Sequence, residues 1–235
     1  MGHEVRTRLI RRLQWQKASN DAAIEPRNRL AILPALRRWQ SARLRAGFGD
    51  FLANPAMRPA AEFFLTDLYG DKDFSARDRD AARLLPAMSR FLPDSLLRAA
   101  ADAIELAVLS HAFDLRMAEV LMQRPDAHAA IGVEDYARAY RVTGYPRLRR
   151  HQIGLILKVG HALDAAVQKH GVAKLLRAAR LPAQLAGLAE LQKFLERGFT
   201  AFAALGGADR FLAEIAERES SVARRLFAGD PKPFD

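Results

Sequence analysis

The chain has 235 residues, 50% hydrophobic and 27% charged, which is enough apolar material for a sizeable core. It has no cysteine, which excludes disulfides and thiolate chemistry. No apolar run approaches the roughly 20 residues that a membrane-spanning helix needs.

The net charge is +10, and it is unevenly spread. Residues 1–50 carry 11 basic and 4 acidic side chains, 51–135 carry 9 and 14, and 136–235 carry 17 and 9. Six basic residues and no acid fall between Tyr136 and Leu163. The N-terminus begins like a myristoylation signal, but Arg6 occupies the position that needs Ser or Thr. No signal-peptide core follows it. The expected location is the cytoplasm, with no membrane partner.

Residues 1–26 read as a basic helical extension. Val5, Leu9, Leu13 and Gln16 line one side, with Arg6, Arg8, Arg11 and Arg12 on the other. Three states suit it: a docked first helix, a swapped arm, or a loosely held segment. Pro26 marks its boundary with a bundle domain over 27–229. The first bundle helix is predicted over Arg29–Asn54, with Pro34 near a start or a kink, and Gly47 and Gly49 weakening its end.

Glu62 to Pro93 then reads as a helix–turn–helix corner. Ala61, Phe64, Leu65 and Leu68 form one apolar face, and Gly70 suits a left-handed helix end. Ser75-Ala76-Arg77-Asp78 fits a capping box that starts the next helix. Asp71, Asp73 and Ser75 imitate the opening of a calcium loop. Ala76 and Ala82 occupy the positions of its required glycine and glutamate, so calcium is excluded. Tyr69, Arg77, Asp78 and Asp80 are the candidates to line a ligand pocket at this bend.

Asp94–Gln123 is the most periodic stretch, with Leu97, Ala100, Ile104, Val108, Leu115, Ala118 and Met122 in one stripe. A helix over Val133–Val142 ends before Gly144-Tyr145-Pro146. Arg147–Lys169 is apolar nearly all round, hence central, and Gly154 and Gly160 permit close helix approach. A short helix over Val172–Ala179 precedes a longer one from Leu181-Pro182 to Leu205, ended by Gly206-Gly207. Asp209 suits the cap of the last helix, and 230–235 reads as a disordered tail. No alternating strand appears, so the fold class is all-α, a single-domain bundle of eight or nine helices.

Several short segments resemble a family of uncharacterised all-helical proteins of proteobacteria. They are Trp39-Gln40 with Arg43-Leu44, Phe63-Phe64-Leu65, Asp67-Leu68-Tyr69-Gly70, Arg77-Asp78 with Asp80, Tyr140-Arg141, and Phe199–Gly207. The resemblance runs from Leu36 to Leu226 and leaves the N-terminal helix outside. It implies no activity, cofactor or catalytic residue.

Two His-x-x-Asp pairs, His111 with Asp114 and His161 with Asp164, each place a nitrogen and an oxygen one helical turn apart. On facing helices they could hold a divalent metal, although the bridging glutamates of known bundle centres have no counterpart. Core hydrogen bonding is the plainer role. Arg138, Arg141, Arg147, Arg149 and Arg150 make the best basic patch. Trp15 and Trp39 could stack on bases, but their helical spacing favours the core or an interface. The expected function is a non-enzymatic interaction or regulatory protein, without cofactor, that forms a homodimer or binds another protein. A metal- or haem-containing bundle enzyme is one alternative. A nucleic-acid binder using the basic helices, with weak affinity, is the other.

Overall fold

The computed structural model describes residues 2–68, 94–126 and 129–235. The helix–turn–helix corner, with Tyr69, Arg77, Asp78 and Asp80, lies outside the described residues. Among those described there are eleven α-helices and no strand.

The spine is the stretch whose apolar stripe is longest. That helix, α5 (Asp94–Met122), has 29 residues and is therefore about 44 Å long. Ahead of it come α1 (Gly2–Asn20), α2 (Leu33–Gly47), α3 (Gly49–Ala53) and α4 (Arg58–Phe63). A π-helical turn, Phe64–Leu68, extends α4. Behind it come α6 (Val133–Thr143), α7 (Pro146–Val167), α8 (Val172–Ala178), α9 (Arg180–Leu185), α10 (Ala189–Ala203) and α11 (Asp209–Ala228).

The N-terminal helix is docked. Leu9 and Leu13 are buried against Leu97, Ala101, Ile104 and Val108 of α5. Burying two leucines is worth roughly 2 kcal/mol each, and Arg8 and Arg12 add ion pairs to Asp102 and Glu105. On another face, α7 runs antiparallel to α5. His151 meets Glu105 at 2.7 Å, Gln152 meets Ser110 at 2.7 Å, and Arg149 lies against Phe113 and Met117. The largest core joins the α2–α4 region to α7, α10 and α11 around Phe51, Phe63, Leu155, Phe202 and Phe211. A second core gathers Leu36, Leu115, Leu121, Tyr136, Tyr140 and Leu226 from α2, α5, α6 and α11.

Glycine sets two of the helix crossings. A Cβ on Gly160 would sit 2.4 Å from the Leu212 side chain of α11, so Leu212 packs directly against the α7 backbone. A Cβ on Gly198 would meet the Phe63 ring at 2.8 Å. Gly154, also expected at a close crossing, has nothing within 4 Å of that position.

Several boundaries differ from expectation. The predicted Arg29–Asn54 helix is a 3-10 turn at Pro26–Arg29, then α2 with Pro34 in its first turn, then α3 after a break at Phe48. The predicted helix from Leu181 to Leu205 is two, because Gly187 turns left-handed (φ +67°) between α9 and α10. Asp209 lies inside the first turn of α11, and Ala208 is the cap. The C-terminal residues, expected to be disordered, fold back on the bundle. Phe234 packs against Trp39 and Tyr136 at 5.7 and 6.0 Å between ring centroids, and Arg225 bonds the Asp235 carbonyl.

Candidate functional site

The helix α2 presents its polar residues at helical spacing, and each reaches a different neighbour. Trp39 stacks on Tyr136 with centroids 4.1 Å apart. Gln40 donates to Asp114 Oδ1 at 3.1 Å. Arg43 grips Glu219 of α11 through two bonds of 2.6 and 3.1 Å, and Leu44 enters the largest core. Elsewhere Arg197 of α10 pairs with the buried Asp67. The short motifs at these positions therefore hold helices together.

The two His-x-x-Asp pairs do not converge. His111 faces the end of α1 and the start of α2. Arg37 Nη2 donates to its Nδ1 at 2.9 Å, which leaves Nε2–H to donate to the Ser19 carbonyl at 3.1 Å. Burial, then the Arg37 charge, lower the His111 pKa, so the imidazole is held neutral. Burial raises that of Asp114 against the opposing pull of Arg37 and Gln40. His161 is exposed on the far half of α7, where its Nδ1 lies 3.4 Å from Asp209. Asp164 beside it has a buried Oδ1 with no hydrogen-bond partner among the described residues. Among those residues no three His, Cys, Asp or Glu side chains are grouped to hold a metal ion.

The arginines after Tyr136 divide into two kinds. Arg149 is buried, not part of a surface patch. Its guanidinium lies between the rings of Phe113 and Tyr140, at 3.6 and 4.3 Å from their centroids. Its Nη1 reaches Gln152 and its Nη2 reaches Met117 Sδ. Cation–π contact takes the place of a carboxylate here. Burial also pushes the Tyr140 hydroxyl up to about 12, so that the ring stays neutral. Arg138, Arg141, Arg147 and Arg150 are exposed around the α6–α7 turn. Arg141 reaches the Leu226 carbonyl, at 3.4 Å. None of the four forms a short ion pair among the described residues, although the Arg138 charge helps to lower the Asp135 pKa after the Gly132 N–H and Arg124.

That turn is unusual in its backbone. Gly144 has φ +72° and ψ −146°, a conformation that only glycine adopts readily. Tyr145 follows at φ 61° and ψ 55°, the one non-glycine residue with positive φ among those described. A left-handed residue with a Cβ costs about 1 to 2 kcal/mol. Tyr145 is 48% exposed, with Arg116 lying over its ring at 4.7 Å. Next to it a shallow cleft of about 350 Å³ is lined by Glu119, Gln123, Val142 and Thr143. The Thr143 hydroxyl is buried and has no hydrogen-bond partner among the described residues. Val142 and Leu148 project on either side of the turn.

Sequence reasoning placed four arginines of this corner but missed Arg116, Thr143 and Tyr145. The Gly-Tyr-Pro signal was legible only as a helix end. The tryptophans divide too: Trp39 is half-buried in its stack, whereas Trp15, expected in the core or an interface, is 55% exposed. A second cleft, about 440 Å³, lies between α2 and residues 129–131. Its lining is mostly apolar, with Arg38 as its cation.

The fold and its inter-helix clamps define a helical-bundle domain. The chain belongs to the family described as a domain of unknown function, DUF8198, whose model matches residues 19–233. Most of α1 thus precedes the matched region, as the residue-level resemblance had also left it. No curated protein and no solved structure matches the chain. No described helix is long and apolar enough to cross a membrane.

Proposed function

We propose that this protein is a non-catalytic interaction protein that docks an anionic partner on its α6–α7 corner. The observation that carries this is the clustering of four exposed guanidinium groups, Arg138, Arg141, Arg147 and Arg150, around one turn. Arg12, Arg27, Arg43, Arg124 and Arg218 are paired with Asp102, Glu25, Glu219, Asp135 and Asp50, and the other exposed arginines are spread over several helices, whereas these four stand around a single turn. Four exposed guanidinium groups around one turn produce a local positive field that a complementary surface can satisfy. The non-catalytic part of the reading is supported by how the acids and imidazoles are engaged. His111, Asp114, Glu105 and Glu219 are each committed to bonds between helices.

Binding to heparin, a flexible polyanion without bases, tests this reading. Affinity should fall steeply with salt, as released counterions require, and Arg147→Glu with Arg150→Glu should weaken it at least tenfold. The same charge change at Lys174 and Arg177 of α8 should weaken it much less. Equal losses from both pairs would show a response to net charge alone, and the corner would lose its claim.

Self-association is a second reading. Leu175, Leu181 and Leu185 stand 63–81% exposed along α8 and α9, an apolar face that a second copy could cover. Sedimentation across a concentration range tests it.

A further inference from the structure

The α6–α7 corner has features that a simple polyanion would not use. An exposed aromatic ring stands among the arginines, on strained backbone and already covered by a guanidinium. Beside it is a cleft whose lining offers an amide, a carboxylate and a hydroxyl. A phosphate chain alone needs only the arginines. A run of Asp or Glu side chains supplies carboxylates, which the arginines alone satisfy, and no flat face for the ring. A lipid surface would bury the Gln123 and Glu119 side chains without satisfying them.

A nucleobase needs both kinds of group: a flat π-face to stack on and donors or acceptors at its edge. In a duplex those faces are already stacked. We propose that the corner binds single-stranded nucleic acid. One base extends the stack that Arg116 and Tyr145 begin, and its edge turns toward Gln123 and Thr143. The flanking phosphates meet Arg147 and Arg150. Arginine suits both tasks, because its planar fork pairs with phosphate and its flat face stacks on rings. The unpartnered Thr143 hydroxyl then gains a purpose, as a group that a base edge can reach once the cleft is occupied. This inference rests on the anionic-docking reading and names its partner.

The test measures fluorescence anisotropy of a labelled 12-nucleotide single strand, its duplex, and labelled heparin against the full chain. The parent should bind the single strand more tightly than the duplex. Tyr145→Ala removes the ring and keeps every arginine. It should weaken single-strand binding at least fivefold, the low end for loss of one base stack, and leave heparin binding unchanged. Tyr145→Phe should bind like the parent, and so should show that the ring and not the hydroxyl is used. Because glycine relieves the backbone at this position, Tyr145→Gly should fold at least as well as the parent while losing the same affinity. That separates binding from folding.

If Tyr145→Ala lowers the two ligands equally, or neither, base stacking is wrong while anionic docking survives. If the parent binds neither the single strand nor heparin, and neither anionic vesicles nor a poly-glutamate peptide, both readings fall. Binding confined to vesicles of anionic phospholipid, or to a poly-glutamate peptide, would replace the nucleic acid with that partner.

Discussion

Arg43 of α2 and Glu219 of α11, 176 residues apart in the chain, form a two-pronged ion pair of 2.6 and 3.1 Å, with both side chains under one-fifth exposed. Arg43 also lies 5.5 Å from the centroid of Phe234, so the same guanidinium steadies the C-terminal residues. The pair therefore ties the start of the bundle to its end.

Removing one partner leaves the other charged and poorly hydrated. Glu219→Ala should cost about 3 kcal/mol, the range for breaking a buried pair. Replacing both, as Arg43→Met with Glu219→Leu, should recover much of that loss, because no uncompensated charge remains. A double-mutant cycle from urea unfolding gives the coupling directly. Single variants that unfold like the parent would show that the pair holds nothing.

The two close crossings respond to one methyl group. At Gly160 a Cβ overlaps Leu212, and at Gly198 it overlaps the rigid Phe63 ring. Gly198→Ala should cost about 1 to 3 kcal/mol through overpacking, even though alanine favours the helix itself. Gly154→Ala, with open space around it, should stabilise by up to about 1 kcal/mol. Thermal melts of the two variants check the ordering, and a stabilised Gly198→Ala would contradict the packing described.

Acidification should loosen the junction of α1, α2 and α5. The groups that face His111 are Arg37, Asp114, Glu25 and the Ser19 carbonyl. Its folded pKa is lowered from an ordinary value of 6.5, mainly by burial and then by Arg37. The unfolded chain therefore takes up a proton below about pH 6.5 that the native imidazole refuses, and stability falls as pH drops through that window. Asp114 has the opposite sign. Its raised pKa lets the folded state hold a proton more readily, so it cannot cause the loss. Unfolding measured between pH 7 and pH 5.5 should show the fall in the parent and a flatter profile in His111→Gln. An unchanged slope in that variant would assign the titration elsewhere.

What the sequence determined by itself is the set of helices and the faces they bury. Of the stripe Leu97, Ala100, Ile104, Val108, Leu115, Ala118 and Met122, all but Ala100 and Met122 are buried and those two are partly buried, because periodicity is a local property that survives without knowledge of neighbours. The rule that a glycine inside an apolar helix leaves room for a neighbour held at Gly160 but not at Gly154, which has nothing within 4 Å of its Cβ position, so which glycine serves a crossing was not legible. Boundaries at Phe48 and Gly187 were not legible, because the apolar pattern continues across both breaks.

Only the tertiary structure decided what the polar residues do. His111 and Asp114 look like ligands in one dimension, and Arg149 looks like surface charge. Partners 32 to 92 positions away, Met117 and Phe113 for Arg149 and Ser19 and Arg37 for His111, turn them into interior contacts. The same holds for Tyr145. Its neighbours Gly144 and Pro146 announce a turn, but the Arg116 side chain over its ring depends on where α5 passes. Local spacing fixes which side chains share a face, whereas charge and hydrogen-bond pairing depend on which faces meet, and that is settled only when the helices pack.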